Sequence, residues 1–336
     1  MTAAAEPRVV RRETPPVLAF LGRRLLGGLV ALFVASVLIF AALNVLPGDP
    51  ASVILGRNAT PQAEAVLTKR MQLDRPAATR YADWLGGFVH GDLGLSAVSL
   101  AQGQHETVWH QISGPLKNSA ILAAIAALFM IPLSIGLGVI GPIYSGKWVD
   151  HAISILSLGA IALPEFVTGS LLIGVFFVGL DWLPPVAIVP PGANPLDKPS
   201  ELVLPVLTLL FASLAAGVRM VRAGMTEVLQ TEYVQTARLN GVAERRVLWR
   251  YALRNALAPS VQVLAQNLQW LIGGIIITES VFAYPGIGTA LVNAVQNRDV
   301  TVVQSVAMLI AVVYVLLNLL ADLVVMLLVP KLREPA

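Results

Sequence analysis

Long apolar runs without charged residues dominate the sequence and leave few folds open to the chain. A membrane-spanning α-helix needs about 20 predominantly apolar residues. Five runs have about this length, the last interrupted only by Asp322: 25–46, 118–142, 202–218, 259–278 and 300–328. Only 13% of the 336 residues are charged, about half the share of an ordinary soluble domain. The sequence therefore predicts an all-α, polytopic membrane protein.

A sixth apolar run, 151–180, is less regular because it contains Pro164 and Glu165. Each half is too short to span a bilayer, and a proline bends a membrane helix without forcing a loop into lipid. We interpret this run as one kinked helix, which makes six transmembrane helices. The predicted organisation is a tail at 1–24, a first helix at 25–46, a small extracytoplasmic insert at 47–117, a five-helix core at 118–330 with a loop at 222–258, and a tail at 331–336.

Basic residues predict the orientation of these helices. Fifteen of the 23 Lys and Arg residues lie on the side that holds both termini, Arg8, Arg11, Arg12, Lys331 and Arg333 among them. The short loops of the opposite side hold only Lys198 and Arg298. Because an excess of Lys and Arg marks cytoplasmic loops, both termini are predicted to be cytoplasmic.

The loop between the fourth and fifth predicted helices is too polar for the membrane and too apolar for disorder. Residues 225–239 and 244–257 have the spacing of amphipathic helices, with Gly241 between them. The small residues Ala237 and Gly241 suggest that another backbone approaches closely. This helical hairpin fits a protein contact, and the alternative is that it lies on anionic lipid.

Several motifs resemble one family. The segment 232–241, EYVQTARLNG, followed by RNALAP at 254–259, is similar to the EAA-type coupling loop of ABC importer permeases in its peptide-permease version. LPGDP at 46–50, GDLG at 91–94 and ESVFAYPGIG at 279–288 resemble the same family. The chain thus resembles the first of two permease subunits of a dipeptide or oligopeptide importer in a bacterial plasma membrane.

The resemblance implies a type I ABC importer permease fold and no catalysis by this chain. It implies that the loop docks on an ATPase through Glu232, Tyr233, Gln235, Thr236, Ala237, Arg238 and Gly241. ATP and Mg²⁺ would be bound by two ATPase subunits or a fused ATPase, and this chain would need no cofactor. The other implied partners are a homologous second permease, an extracytoplasmic substrate-binding protein and membrane lipid.

Motifs for other chemistry are incomplete. GPIYSGK at 141–147 lacks the Ser or Thr of a phosphate-binding loop and follows a membrane helix rather than a strand. His105 and His110 would lie about 140° apart on a helix, too far around to share a metal. The chain has no Cys. The sequence therefore predicts no metal site, no catalytic residue and no nucleic-acid binding.

Glu165, Glu279 and Asp322 lie within predicted spans, where an ionised side chain needs a partner, a cavity or another helix. They are candidates for the translocation path, and the alternative is structural pairing or protonation. Three other functions stay open. They are an importer of a related cargo (nickel chelate, glutathione or haem), a secondary transporter driven by protons through Glu165 or Asp322, and an intramembrane enzyme. The secondary transporter predicts inverted repeats, which the sequence does not show.

Overall fold

A computed structural model describes residues 16–45, 50–56, 59–190 and 192–328. These residues are mainly helical, with an isolated antiparallel bridge between Leu95 and Thr107. Most of the LPGDP motif and five of the basic residues used for orientation, Arg8, Arg11, Arg12, Lys331 and Arg333, lie outside the described residues.

Fourteen α-helices occur in the described ranges. In chain order they are α1 (Pro16–Val45), α2 (Pro50–Leu55), α3 (Pro61–Arg70), α4 (Ala77–Val89), α5 (Ala97–Ala101), α6 (Val108–Ile143), α7 (Trp148–Ala162), α8 (Glu165–Ile173), α9 (Pro199–Leu229), α10 (Glu232–Leu239), α11 (Glu244–Arg246), α12 (Leu253–Val281), α13 (Ile287–Gln296) and α14 (Val300–Leu328). A π-helical turn at Gly174–Gly179 extends α8, another at Val247–Ala252 joins α11 to α12, and a 3-10 turn at Pro195–Asp197 precedes α9.

Five of these helices carry a stretch that is long and apolar enough to cross a membrane. The stretches are Gly22–Val45, Val108–Ile143, Pro199–Leu229, Ser260–Val281 and Val300–Val324. Each overlaps one of the five predicted runs, which confirms those predictions. The structure adds that the helix containing run 259–278 begins well before it, since α11, the π-helical turn and α12 form one continuous helix.

The sixth predicted helix is broken rather than kinked. Between Ala162 and Glu165 the chain turns by 113°. Leu163 and Pro164 are extended (ψ 124° and 147°). For Leu163 the cause is the following proline, which disfavours the helical region for the residue before it. Pro164 itself is the residue that precedes the first turn of α8. The prediction of a single kinked helix was wrong for this reason.

The broken pair α7–α8 nevertheless crosses the bundle once. Asp150 at the start of α7 binds Arg222 near the end of α9, with Nε to Oδ1 at 2.9 Å. Gly169 of α8 lies against Val281 and Phe282, where α12 ends. Since the end of α9 is connected to the start of α12, these contacts mark opposite ends of the bundle. The pair therefore completes six crossings, counted over the described residues.

Helix α9 lies at the centre and packs against α6, α7, α8 and α12. Glycines at two crossings allow close approach. A Cβ on Gly138 would lie 2.5 Å from Cβ of Val221, and one on Gly224 would lie 2.8 Å from the carbonyl oxygen of Ala256. Small residues at such crossings are typical of membrane helices, where packing replaces the hydrophobic effect as the driving force.

The insert contains α2 to α5 and is fixed to the bundle at Asp299, which precedes α14. This buried carboxylate accepts hydrogen bonds from the Ser96 hydroxyl and from the backbone N–H groups of Ala97 (3.1 Å), Val98 (3.3 Å) and Val302 (3.2 Å). A second contact is aromatic, between Phe40 of α1 and residues of α4. We call the end of the bundle that carries the insert the insert side, and the end that carries α10 the hairpin side.

Replacing Asp299 with alanine should loosen the insert. The change removes an acceptor from buried donors on both elements, and such a loss costs on the order of 3 kcal/mol. Limited proteolysis of the purified protein should then cut residues 90–107 several-fold faster than in the wild type. Asp92→Ala is the control, since Asp92 is exposed and accepts from Gly94 alone among the contacts described. Equal cleavage rates for Asp299→Ala and wild type would refute this role.

Candidate functional site

The candidate site is the hairpin, which we define as residues 230–252. Helix α9 ends at Leu229, and Gln230 and Thr231 connect it to α10. Gly241 ends the turn after α10 with a φ of +75°, a conformation that residues with a Cβ rarely adopt. The Val242 N–H then donates to the Ala237 carbonyl at 3.1 Å. Gly241 of the motif is therefore required by backbone geometry.

The inner face of α10 is apolar and packs on the rest of the hairpin. Val234 is fully buried and Ala237 is 7% exposed, and both contact Val247. Ala237 was expected to leave room for another backbone, but it is buried in an apolar cluster formed by this chain's own residues, Val247 among them. Only at Gly241 is there open space, with no atom within 4 Å of a Cβ placed there.

Polar contacts hold α10 to the neighbouring helices. Asn255 of α12 donates to the Tyr233 hydroxyl at 2.9 Å. Arg238 donates to both carboxylate oxygens of Glu244, at 3.1 and 2.6 Å. This bidentate pair raises the pKa of Arg238 above its ordinary value, so the guanidinium stays charged but is neutralised locally. Tyr233 and Arg238 therefore serve the hairpin itself.

On the outer face of α10 the one side-chain hydrogen bond among the described residues is local, from the Gln235 amide to the Gln230 carbonyl at 3.3 Å. Glu232, Gln235, Thr236 and Leu239 are all exposed and follow the i, i+3, i+4, i+7 spacing of a single helix face. Leu239 is 88% exposed. It was missing from the predicted site. The i, i+3, i+4, i+7 spacing groups it with Glu232, Gln235 and Thr236, but spacing alone does not say that this face points outward. Three of the seven predicted residues, Glu232, Gln235 and Thr236, thus lie on this exposed face, and a fourth, Gly241, has open space around it.

Of the three candidates for the translocation path, Glu279 is fully buried in a structural role. Its carboxylate accepts from the Ser119 hydroxyl and from the N–H groups of Gly288 (2.7 Å) and Thr289 (3.3 Å). It thereby caps the start of α13 and ties this helix to α6. A Cβ on Gly286 would lie 1.9 Å from Glu279 Oε1. The ESVFAYPGIG motif is thus an acid followed by the glycines that make room for it.

The other two acids differ from each other. Asp322 of α14 pairs with Arg24 of α1 at 3.2 Å, near the hairpin side. Glu165, at the start of α8, lies beside Gly274 of α12, where an added Cβ would be 2.6 Å from its Oε1. No hydrogen bond or ion pair joins its carboxylate to another described residue, and it is partly exposed. Among the three acids, Glu165 is therefore the one whose carboxylate has no hydrogen bond or ion pair that stabilises the described fold.

Comparison with known proteins places this architecture in a family. The family model "Binding-protein-dependent transport system inner membrane component" matches residues 130–334, and the corresponding N-terminal model matches residues 17–110. The chain belongs to the ABC importer permeases. This permease is therefore a multi-pass inner-membrane protein, and it is not itself an enzyme.

Close relatives are aligned along nearly their whole length. This permease is 34% identical over 317 residues to the glutathione transport system permease protein GsiC of Escherichia coli strain K12. The identity is 33% to the protein of that name from Shigella flexneri serotype 5b. Each alignment covers 94% of this chain and 99% of the relative.

Proposed function

We propose that this permease is one of two homologous subunits that form the path of an ATP-driven importer of small peptides. The observation that carries the proposal is the hairpin with its outer face uncovered. The apolar residues of α10, Val234 and Ala237, are already buried inside the hairpin. A helix lying on lipid needs a broad apolar face outward, and here the outward face offers Leu239 beside three polar residues. A groove on a protein partner fits this face better.

The hairpin is built to transmit movement. α10 follows α9 after two residues, and Tyr233 joins it to α12 through Asn255. A partner that displaces α10 therefore displaces the two helices at the centre of the bundle. In our proposal the partner is an ATPase that holds ATP and Mg²⁺, and its two states shift this permease between two arrangements. Gln235 stands where the generic motif has an acid, so this side chain would contact the partner by hydrogen bonds and not through a charge of its own.

The basic side chains support a cytoplasmic hairpin side. Arg219, Arg222, Arg245, Arg246 and Arg250 lie on or next to the hairpin, and such residues favour the cytoplasmic side of a membrane. The insert side would then face an extracytoplasmic binding protein that delivers cargo. The same proposal includes the segment boundaries at residues 24, 46, 117 and 330. They separate the N-terminal tail, the first helix, the insert, the five-helix core and the C-terminal tail.

The proposed cargo is a dipeptide, a short oligopeptide or glutathione, itself a tripeptide. It is supported by the peptide-permease version of the loop motif and by the relatives named for glutathione transport. Nickel chelates and haem are the alternative cargoes. Proton-driven transport is the second candidate function, and the unpaired Glu165 is the observation that favours it.

Uptake by reconstituted proteoliposomes tests the proposal. The vesicles would contain this permease, its second permease and the ATPases, with the binding protein added outside. We expect ATP-dependent uptake of labelled glutathione or a labelled dipeptide, and none without the ATPases. Uptake that survives their omission and follows a pH gradient would establish the proton-driven alternative. Uptake of haem or a nickel chelate without peptide uptake would refute the peptide cargo.

A further inference from the structure

Helix α12 carries four polar side chains and a glycine on one face along the length of its membrane-spanning stretch, Ser260–Val281. We call Gln262, Gln266, Gln269, Gly273 and Ser280 the polar stripe. At 100° per residue they fall within an arc of about 60° around the helix. Four of the five are exposed, and Gln269 is partly buried at one edge. This one-sided pattern needs an explanation, because the other side chains of the stretch are buried or partly buried, apart from Trp270 and Ile277, which are exposed beside the stripe.

The polar stripe is exposed between α14 and α8, which both pack on α12, and we call this exposed region the cleft. On one edge, Gln269 donates to the Asn318 side chain of α14 at 2.6 Å. Farther around α12, about 100° from Gly273, Glu165 of α8 lies against the buried Gly274. The buried side of α12 is held to α9, where Asn267 donates to the Ser213 carbonyl at 3.0 Å. The stripe therefore opens between α8 and α14, with the carboxylate of Glu165 at its rim.

Lipid does not suit this cleft. The side-chain amides of Gln262 and Gln266 make no hydrogen bond with another described residue, and an unsatisfied amide in hydrocarbon costs several kcal/mol. The stretch of α12 is also the least apolar of the five continuous spans. Helix α1 shows what a lipid-facing surface looks like in this chain, since its exposed residues include Leu29, Phe33 and Leu38.

A dry contact with a partner helix does not suit the cleft either. Close packing between membrane helices relies on small residues, whereas the stripe presents long amides. Trp270 stands beside them and is 71% exposed, so a second helix is held away from the backbone. The partly exposed carboxylate of Glu165 would also have to be buried without a partner. Water and a polar solute remain as the occupants.

We propose that the polar stripe and Glu165 line the water-filled path of the cargo, on which the peptide is bound by its backbone and its amino terminus. Glutamine amides both donate and accept, so they match the C=O and N–H groups of any peptide whatever its side chains. The Glu165 carboxylate attracts a free ammonium group. This inference rests on the proposed function and adds to it the residues that contact cargo.

The absence of cysteine from the whole sequence makes a direct test possible. Single cysteines are placed at Gln266, Gly273 and Leu38, and the assembled importer in proteoliposomes is treated with a charged methanethiosulfonate reagent. The importer with the wild-type, cysteine-free permease gives the background labelling of cysteines in the partner subunits. We expect Gln266→Cys and Gly273→Cys to react at least tenfold faster than Leu38→Cys, and cargo-loaded binding protein with ATP to slow them.

A second measurement concerns cargo recognition. Gln266→Leu should raise the KM for peptide uptake at least fivefold with a smaller change in kcat, and Gln266→Asn should restore part of the loss. Leu38→Ala is the matched control and should leave both constants unchanged.

The outcomes separate this inference from the proposed function. An importer that takes up peptide but leaves Gln266→Cys and Gly273→Cys as unreactive as Leu38→Cys would overturn the inference, because the stripe would then be sealed by lipid or protein. Reactive cysteines in an importer that takes up no peptide would refute the peptide cargo and the backbone recognition with it, while keeping the water-filled cleft.

Discussion

Replacing Leu239 with aspartate should abolish most ATP-driven uptake while this permease keeps its fold. Leu239 is 88% exposed at the end of α10, and surface substitutions of this kind change folding stability by about 0.5 kcal/mol or less. If the outer face of α10 docks on an ATPase, however, the leucine becomes buried. Burial of a leucine contributes about 2–3 kcal/mol, and a buried unpaired carboxylate adds a further cost. From the lost leucine burial alone, binding to the ATPase should weaken roughly 30- to 150-fold.

Copurification with the ATPase and ATP-driven uptake are the two measurements. Val66→Asp is the matched control, since Val66 is an aliphatic residue of α3, 52% exposed and on the insert side. The control should retain the ATPase fully, and Leu239→Asp should lose it in detergent and lose uptake in vesicles. Retention of the ATPase by Leu239→Asp at wild-type affinity would show that the outer face of α10 is not the docking surface.

The membrane spans were predictable because the bilayer applies a one-dimensional rule. A helix that crosses hydrocarbon must be apolar over a set length, whatever packs against it, and five runs meet this rule in the sequence. The break at Pro164 was not predictable in the same way. A proline in a membrane helix is compatible with a kink or with a new helix, and the choice depends on packing. Here α8 packs on α12, with Glu165 beside Gly274.

The hairpin was predictable as two helices with a stop at Gly241, because spacing and glycine act locally. The face of α10 that points outward was not predictable, because it depends on which residues cover the opposite, inner face. Val234 and Ala237 are covered by Val247, which belongs to a different helical segment. The motif residues therefore fall on both faces, and Leu239 completes the outer one.

The membrane acids show the same limit of sequence reasoning. A carboxylate in a span requires a partner, but the sequence does not say which residue supplies it. Glu279 binds Ser119, which is 160 residues away along the chain. Glu279 also binds the start of α13 only nine residues later, through Gly288. Neither Ser119 nor Gly288 could be identified from the sequence as the partner of Glu279.

Replacing Glu279 with alanine should cause the largest loss of stability in this permease. The carboxylate is fully buried and accepts from Ser119, Gly288 and Thr289. Its removal leaves buried donors without an acceptor and opens a cavity, and we expect the free energy of unfolding to fall by about 3–5 kcal/mol. Thermal unfolding in detergent would measure this loss as a midpoint lower by roughly 10 °C.

Glu279→Gln separates a structural role from a place on the translocation path. The glutamine oxygen still accepts from Gly288 and Thr289, and its NH₂ group meets the Ser119 hydroxyl, so the loss should be only about 1 kcal/mol. Because Glu279 is sealed between α6, α12 and α13, uptake by this variant should match the wild type once corrected for the amount of folded protein. A Glu279→Gln variant that unfolds at the wild-type temperature but transports peptide with a changed KM would instead place Glu279 on the path. A purely structural role for Glu279, as the cap of α13, would then be refuted.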